Sequence, residues 1–167
     1  MLNKLNKDSK GFTIIEVMIV LAIAGLIILI VLLAVPAVQR NSRNTAIKND
    51  AGAVVAAVSE FSTNNDGAIP DMANSNKPVN DPNLTLKNAV ASTQASVAKL
   101  QAGTGYNEST GGGAITPQAG QIYVDYGSSC PATVTGTSVT TVTNTKSVAV
   151  VYANETTNGL QARCVDS

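Results

Sequence analysis

Residues 17–38 constrain this chain more than any other stretch. They carry no charged side chain and are almost all Ile, Leu, Val and Ala. About 20 such residues cross the hydrocarbon core of a bilayer as a helix. Just before them stands the run Lys10-Gly11-Phe12-Thr13-Ile14-Ile15-Glu16-Val17-Met18-Ile19-Val20. It joins a basic flank, a glycine, an aromatic and one carboxylate to an otherwise apolar sequence. Glu16 is the anomaly, because a charged group at the edge of a membrane span is costly unless it finds a partner. Such a residue marks a candidate functional position.

The segment Gly11-Phe12-Thr13-Ile14-Ile15-Glu16-Val17-Met18 resembles the processing motif of type IV pilins and their pseudopilin relatives. The strict resemblance covers roughly residues 10–40; beyond them only the general layout is similar. It implies that a prepilin peptidase cuts after Gly11 and that Phe12 becomes the N-methylated mature N-terminus. It also implies that Glu16 meets the charged N-terminus of a neighbouring subunit during assembly. Elementary electrostatics agrees. An α-amino group titrates near ~8 and is largely cationic at neutral pH. Glu16 lies about one helical turn from Phe12, at a depth that suits such an amine. An unpaired carboxylate in lipid is unfavourable, and pairing removes much of that penalty. The competing reading, in which Glu16 only snorkels to the headgroups, leaves the glycine and the phenylalanine unexplained.

The chain has 167 residues, enough for one modest domain beside a membrane helix. Its formal net charge is zero. Lys4, Lys7, Asp8 and Lys10 precede the expected cut, so the processed form is slightly acidic and carries no polyanion-binding signal. The sequence has no histidine, which removes the commonest general base and metal ligand. Enzyme activity is therefore not expected, and neither is a cofactor. Asn64-Asn65-Asp66-Gly67 with Asp71 lacks the alternating ligands of a calcium loop and reads as a turn. Tyr106, Tyr123, Tyr126 and Tyr152 could stack on bases, but no basic cluster accompanies them, so core or sheet-face positions are the better reading, with nucleic-acid binding kept as an alternative. Asn83, Asn107 and Asn154 open Asn-x-Ser/Thr triplets, as chance allows in an Asn- and Thr-rich chain.

Cys130 and Cys164 are the two cysteines. After export they can close a disulfide, and the pilin resemblance implies one that shuts a C-terminal loop. By loop entropy such a bond is worth about 3.5–4 kcal/mol. Two buried thiols are the alternative; a redox pair would want a closer spacing.

Four segments are expected. Residues 1–11 form a basic leader. Residues 12–38 form a transmembrane and filament-core helix. Residues 39–62 continue that helix with an apolar stripe of Ile47, Ala51, Val54, Val58 and Phe61. Residues 63–167 form a globular head. Gly25 and Pro36 are points of flexibility, because proline lacks an N–H and crowds the preceding turn. Pilins similar to this chain often unravel between such a pair in the filament, although here the spacing is about a turn longer. In the head, Leu86, Val90, Val97 and Leu100 predict a short helix over 84–101. The span from Gly103 to Gly120 reads as flexible or exposed. Gln121–Tyr126, Thr133–Thr143, Ser147–Ala153 and Leu160–Val165 predict about four antiparallel strands, with turn chemistry at Asn158-Gly159. The fold class is α+β: a long N-terminal helix packed on an antiparallel sheet, pilin-like.

Basic residues flank both ends of the apolar stretch, so charge does not orient it. The polar, disulfide-capable C-terminal part places the N-terminus inside. The run from 17 to 38 is too long for an ordinary signal peptide cut near Ala22-Ile23-Ala24. The resemblance thus implies a single-pass inner-membrane precursor that becomes an extracellular pilus subunit. Its partners would be further copies of itself in a helical filament, a prepilin peptidase and the pilus assembly machinery of the inner membrane. Adhesion, twitching motility or DNA uptake would be the output. A type II secretion pseudopilin and a monomeric membrane-anchored binding protein are the alternatives.

Overall fold

The computed structural model describes residues 11–70, 83–87, 94–101 and 104–167. The chain divides into two compact units, Met1–Gln39 and Arg40–Ser167. One helix, α1 (Ile14–Asn64), contributes to both.

In the first unit α1 is made of good helix formers and β-branched apolar residues, with no charged residue after Glu16. It continues without interruption through Gly25 and Pro36. Every residue from Gly11 to Gln39 is exposed except Ala24, which is half-buried.

In the second unit α1 becomes amphipathic. Ile47, Asp50, Ala51, Val54, Ala57, Val58 and Phe61 are buried, at spacings of three and four that fall on one helix face. Ile47, Ala51, Val54, Val58 and Phe61 are the expected stripe, and Ala57 adds to it. Asp50 does not, and its burial needs polar partners. Its Oδ1 accepts the Gln101 backbone N–H at 3.1 Å and its Oδ2 accepts the Thr104 hydroxyl at 2.5 Å. The helix ends at Asn64. Asp66 and Gly67 take positive φ values of 53° and 79°, and the Gly67 N–H returns to the Ser62 carbonyl at 2.9 Å. That bond satisfies a terminal carbonyl in the manner of a left-handed helix stop.

Eight strands follow among the described residues. They are β1 (Asn83–Lys87), β2 (Gln94–Lys99), β3 (Gly105–Thr110), β4 (Ala114–Ile115), β5 (Gln121–Ser129), β6 (Val139–Thr140), β7 (Val142–Thr156) and β8 (Gly159–Asp166). The main sheet has the order β3-β5-β7-β8, with β1-β2 and β4-β6 as separate pairs. β5, β7 and β8 are antiparallel neighbours, but β3 runs parallel to β5. The sheet is therefore mixed, not purely antiparallel. A parallel neighbour cannot be joined by a tight hairpin, and residues 111–120 provide the crossover.

Three expectations are corrected here. The helix over 84–101 is replaced by strands at 83–87 and 94–99, paired antiparallel; residues 88–93 lie outside the described residues. Leu84 and Leu86, and Ala98 and Leu100, are buried in alternation, which is the strand period. The stretch 103–120 contains β3 and β4, so much of it is regular. Of the strand expected over 133–143, only Val139–Thr140 and the start of β7 form. Asp71 and residues 1–10 lie outside the described residues.

Both faces of the main sheet are covered. On one face Tyr106, Ile122, Val124, Tyr126, Val148, Val150 and Tyr152 pack with the buried side of α1 and with Leu84, Leu86, Ala98 and Leu100. On the other, Val151 and Ala162 pack with Ile115 and Val139 of the β4-β6 pair, and Tyr123, Val134 and Cys164 join them. This explains the unbroken apolar run Val148–Ala153: a strand buried on both sides loses the usual alternation. Three tyrosines thus sit in the core and Tyr123 is partly buried on the opposite face.

The second half of α1 is also clasped to the β7-β8 hairpin. Arg43 donates from Nε to Glu155 Oε1 at 2.8 Å and from Nη2 to Oε2 at 2.6 Å. Asn44 donates to the Glu155 carbonyl at 2.8 Å and accepts the Glu155 N–H at 2.7 Å. The Asn44 side chain thereby pairs with the strand end as another peptide group would. The hydrogen bonds from Arg43 lower the pKa of the Glu155 carboxyl, and the field of Arg40 adds to this.

Candidate functional site

The candidate site is the N-terminal part of α1, built from Phe12 to Val38. Helix starts leave N–H groups without partners, and Thr13 meets this need. Its carbonyl accepts the N–H groups of Glu16 at 3.1 Å and Val17 at 3.4 Å, and its hydroxyl oxygen lies 3.4 Å from the Glu16 nitrogen. Thr13-Ile14-Ile15-Glu16 has the Thr-x-x-Glu spacing of a capping box. That spacing is legible in the sequence, and it adds a local role for Thr13 that the membrane argument passes over. It also puts the Glu16 carboxylate in the first turn, where the helix dipole favours negative charge.

Above this turn the surface is apolar on every side. Phe12 is 85% exposed, and large aliphatic side chains from Ile14 through Val38 are exposed on every face of the helix. The helix is long and apolar enough to cross a membrane by length and composition. Residues 17–38 would rise about 33 Å, against a hydrocarbon core of about 30 Å. A contiguous apolar surface of this extent is a contact surface for lipid or protein, because monomeric soluble proteins rarely expose one. Glu16 is the single charged residue between Gly11 and Gln39, and it stands at one end of that surface.

Gly11 precedes the helix and is exposed, as are Phe12 and Glu16. Gly25 has open space where a side chain would project. The lack of an N–H at Pro36 leaves the Leu32 carbonyl without its helical donor while the helix continues. Gly11, Phe12 and Glu16 share the start of the helix, whereas Gly25 and Pro36 lie further along it.

Cys130 and Cys164 lie in the second unit. They form a disulfide with a Cα–Cα distance of 5.8 Å across 34 residues of sequence. Asp166 Oδ2 accepts the Cys130 N–H at 2.8 Å beside it. The bond ties the end of β5 to β8. No group of three or more His, Cys, Asp or Glu side chains that could hold a metal occurs among the described residues.

Comparison with known proteins gives one match to this region. Residues 6–32 match a family model described as the prokaryotic N-terminal methylation motif. Comparisons with curated proteins and with solved structures found no match. The matched segment contains Gly11, Phe12, Glu16 and Gly25 and ends before Pro36. The α+β fold, the apolar helix and the disulfide are consistent with a pilin-like precursor anchored in a membrane. The chain thus carries the type IV pilin and prepilin signature at the start of its long helix.

Proposed function

We propose that this protein is a structural subunit of a type IV pilus. Cleavage between Gly11 and Phe12 by a prepilin peptidase removes the basic leader, and the new terminal amine is methylated. Copies then leave the bilayer and pack residues 12–38 into a shared filament core. The observation that carries this reading is the exposed apolar surface of α1 with one carboxylate at its start, inside the methylation motif. Transfer from lipid into a protein core keeps that surface dry throughout. Glu16 supplies direction: it is stabilised once it reaches the cationic N-terminus of a neighbour, and a misregistered copy would leave it unpaired. Gly25 and Pro36 let the helix yield locally as copies pack. The motif suggests a structural role instead of an enzymatic one. Before assembly the chain is held in the inner membrane with its N-terminus inside; afterwards the head is extracellular. Adhesion, twitching motility and DNA uptake are the outputs open to such a fibre.

The disulfide between the end of β5 and β8 fits a head that lies in an oxidising compartment outside the inner membrane. The reading is tested by Glu16→Ala and Glu16→Asp. Glu16→Ala is expected to leave the chain cleaved and membrane-inserted but absent from sheared surface filaments. Glu16→Asp is expected to recover part of the filament yield. Unchanged filament yield in Glu16→Ala would sink the role given to the carboxylate.

A further inference from the structure

Arg40 and Arg43 stand where the chain offers little to balance them. No Asp or Glu occurs between Glu16 and Asp50, and the cations of that interval are Arg40, Arg43 and Lys48. Arg40 follows Val38, the end of the apolar run, by about 3 Å of helix rise, Arg43 by about 8 Å and Lys48 by about 15 Å. The headgroup layer outside the hydrocarbon is about 5–8 Å thick on each side. Both arginines therefore fall within it, and Lys48 lies beyond. One carboxylate, that of Glu155, is shared by this pair. It occupies one edge of the Arg43 guanidinium through Nε and Nη2, and the remaining N–H groups of Arg43 are left for another acceptor. Arg40 is half-buried and has no hydrogen bond or ion pair among the described residues. Among the described residues the local balance is two cations to one anion.

We propose that Arg40 and Arg43 form a docking site for the phosphate headgroup of an anionic phospholipid, used while the chain resides in the bilayer. The proposal rests on the reading that residues 12–38 span the membrane. Guanidinium groups suit this ligand: they are planar, permanently charged and able to donate in pairs to a phosphate. Glu155 holds Arg43 in place and leaves Arg40 as the cation that the lipid neutralises.

The test is native mass spectrometry of the full chain released by mild detergent from vesicles of equal phosphatidylcholine and phosphatidylglycerol. The wild type is expected to retain phosphatidylglycerol over phosphatidylcholine. Arg40→Gln is expected to lower that preference about five-fold, as for one juxtamembrane cation. Arg163→Gln, which removes an exposed cation on β8, is expected to leave it unchanged. Excess inorganic phosphate is expected not to displace the lipid. Equal retention of both lipids, an unchanged preference in Arg40→Gln, or an equal loss in Arg163→Gln would overturn the proposal. Displacement by inorganic phosphate would assign the site to free phosphate and also overturn it. Resistance of the same vesicles to carbonate extraction is read in parallel. A chain that washes off contradicts the membrane reading itself; a chain that stays without lipid preference contradicts only the headgroup site.

Discussion

Asp50, Asp125 and Thr141 are buried polar side chains matched to specific partners, and small changes at those positions should be legible. Asp125 is buried in β5, where its Oδ1 accepts from the Ser109 hydroxyl at 3.0 Å and its Oδ2 from the Thr141 hydroxyl at 2.6 Å. Thr141 Oγ1 in turn accepts the Gly113 N–H at 3.0 Å. This relay fixes the Gly111-Gly112-Gly113 turn against β7. Gly112 has a φ of +81°, and a Cβ there would meet the Thr143 nitrogen at 3.0 Å and the Thr141 carbonyl at 3.1 Å. Gly112→Ala therefore combines left-handed strain with a backbone clash. It should destabilise the head by at least about 1–2 kcal/mol in a denaturant titration. At the clasp, Glu155 has its carboxyl pKa lowered by the hydrogen bonds from Arg43. A depressed folded pKa gives stability that is complete above the unfolded value, near ~4.3, and lost as pH falls through the folded value. The wild type should melt above Glu155→Gln at pH 7, and the gap should close below about pH 4. Glu155 and Asp50 were not legible as tertiary ligands from sequence, because each contacts residues far along the chain. Thr13 as a helix cap was legible, since its partner is three residues away.

Elements are legible in the sequence where their period is long and uninterrupted, and hidden where packing overrides a short pattern. The helix expected from Phe12 to Ser62 forms as Ile14–Asn64. The stripe of Ile47, Ala51, Val54, Val58 and Phe61 identified the face that covers the sheet. Leu86, Val90, Val97 and Leu100 fit helical spacing equally well, yet Leu84 with Leu86 and Ala98 with Leu100 also alternate by two. A short segment with both periods is decided by what it packs on, here the core beside α1. The parallel partner β3 was hidden for a related reason. Gly105-Tyr106-Asn107-Glu108-Ser109-Thr110 is polar at most positions, and only its first two residues are buried. The hairpin before β8 was signalled by Asn158-Gly159 and closes with Thr156 paired to Gly159. The disulfide acts at this scale too, joining β5 to β8. Cys130→Ser with Cys164→Ser should destabilise the head by about 4 kcal/mol by loop entropy. Unfolding of the oxidised wild type against the double variant measures this.

The whole molecule divides its labour between two units. One carries a surface that water does not tolerate, and the other carries a closed core with both sheet faces covered. Under the proposed function their chemistry suits a filament: the first unit would be covered by lipid before assembly and by other copies afterwards. The motif within residues 6–32 supports a precursor of this kind. The N-terminal motif was legible because it is local in sequence, whereas the mixed sheet depends on pairings between distant strands. The central claim is tested most directly by the mass of the N-terminal peptide from sheared surface filaments. The account predicts a chain that begins at Phe12 with a methylated amine. A chain in those filaments that begins at Met1, or one cut near Ala24, would contradict it.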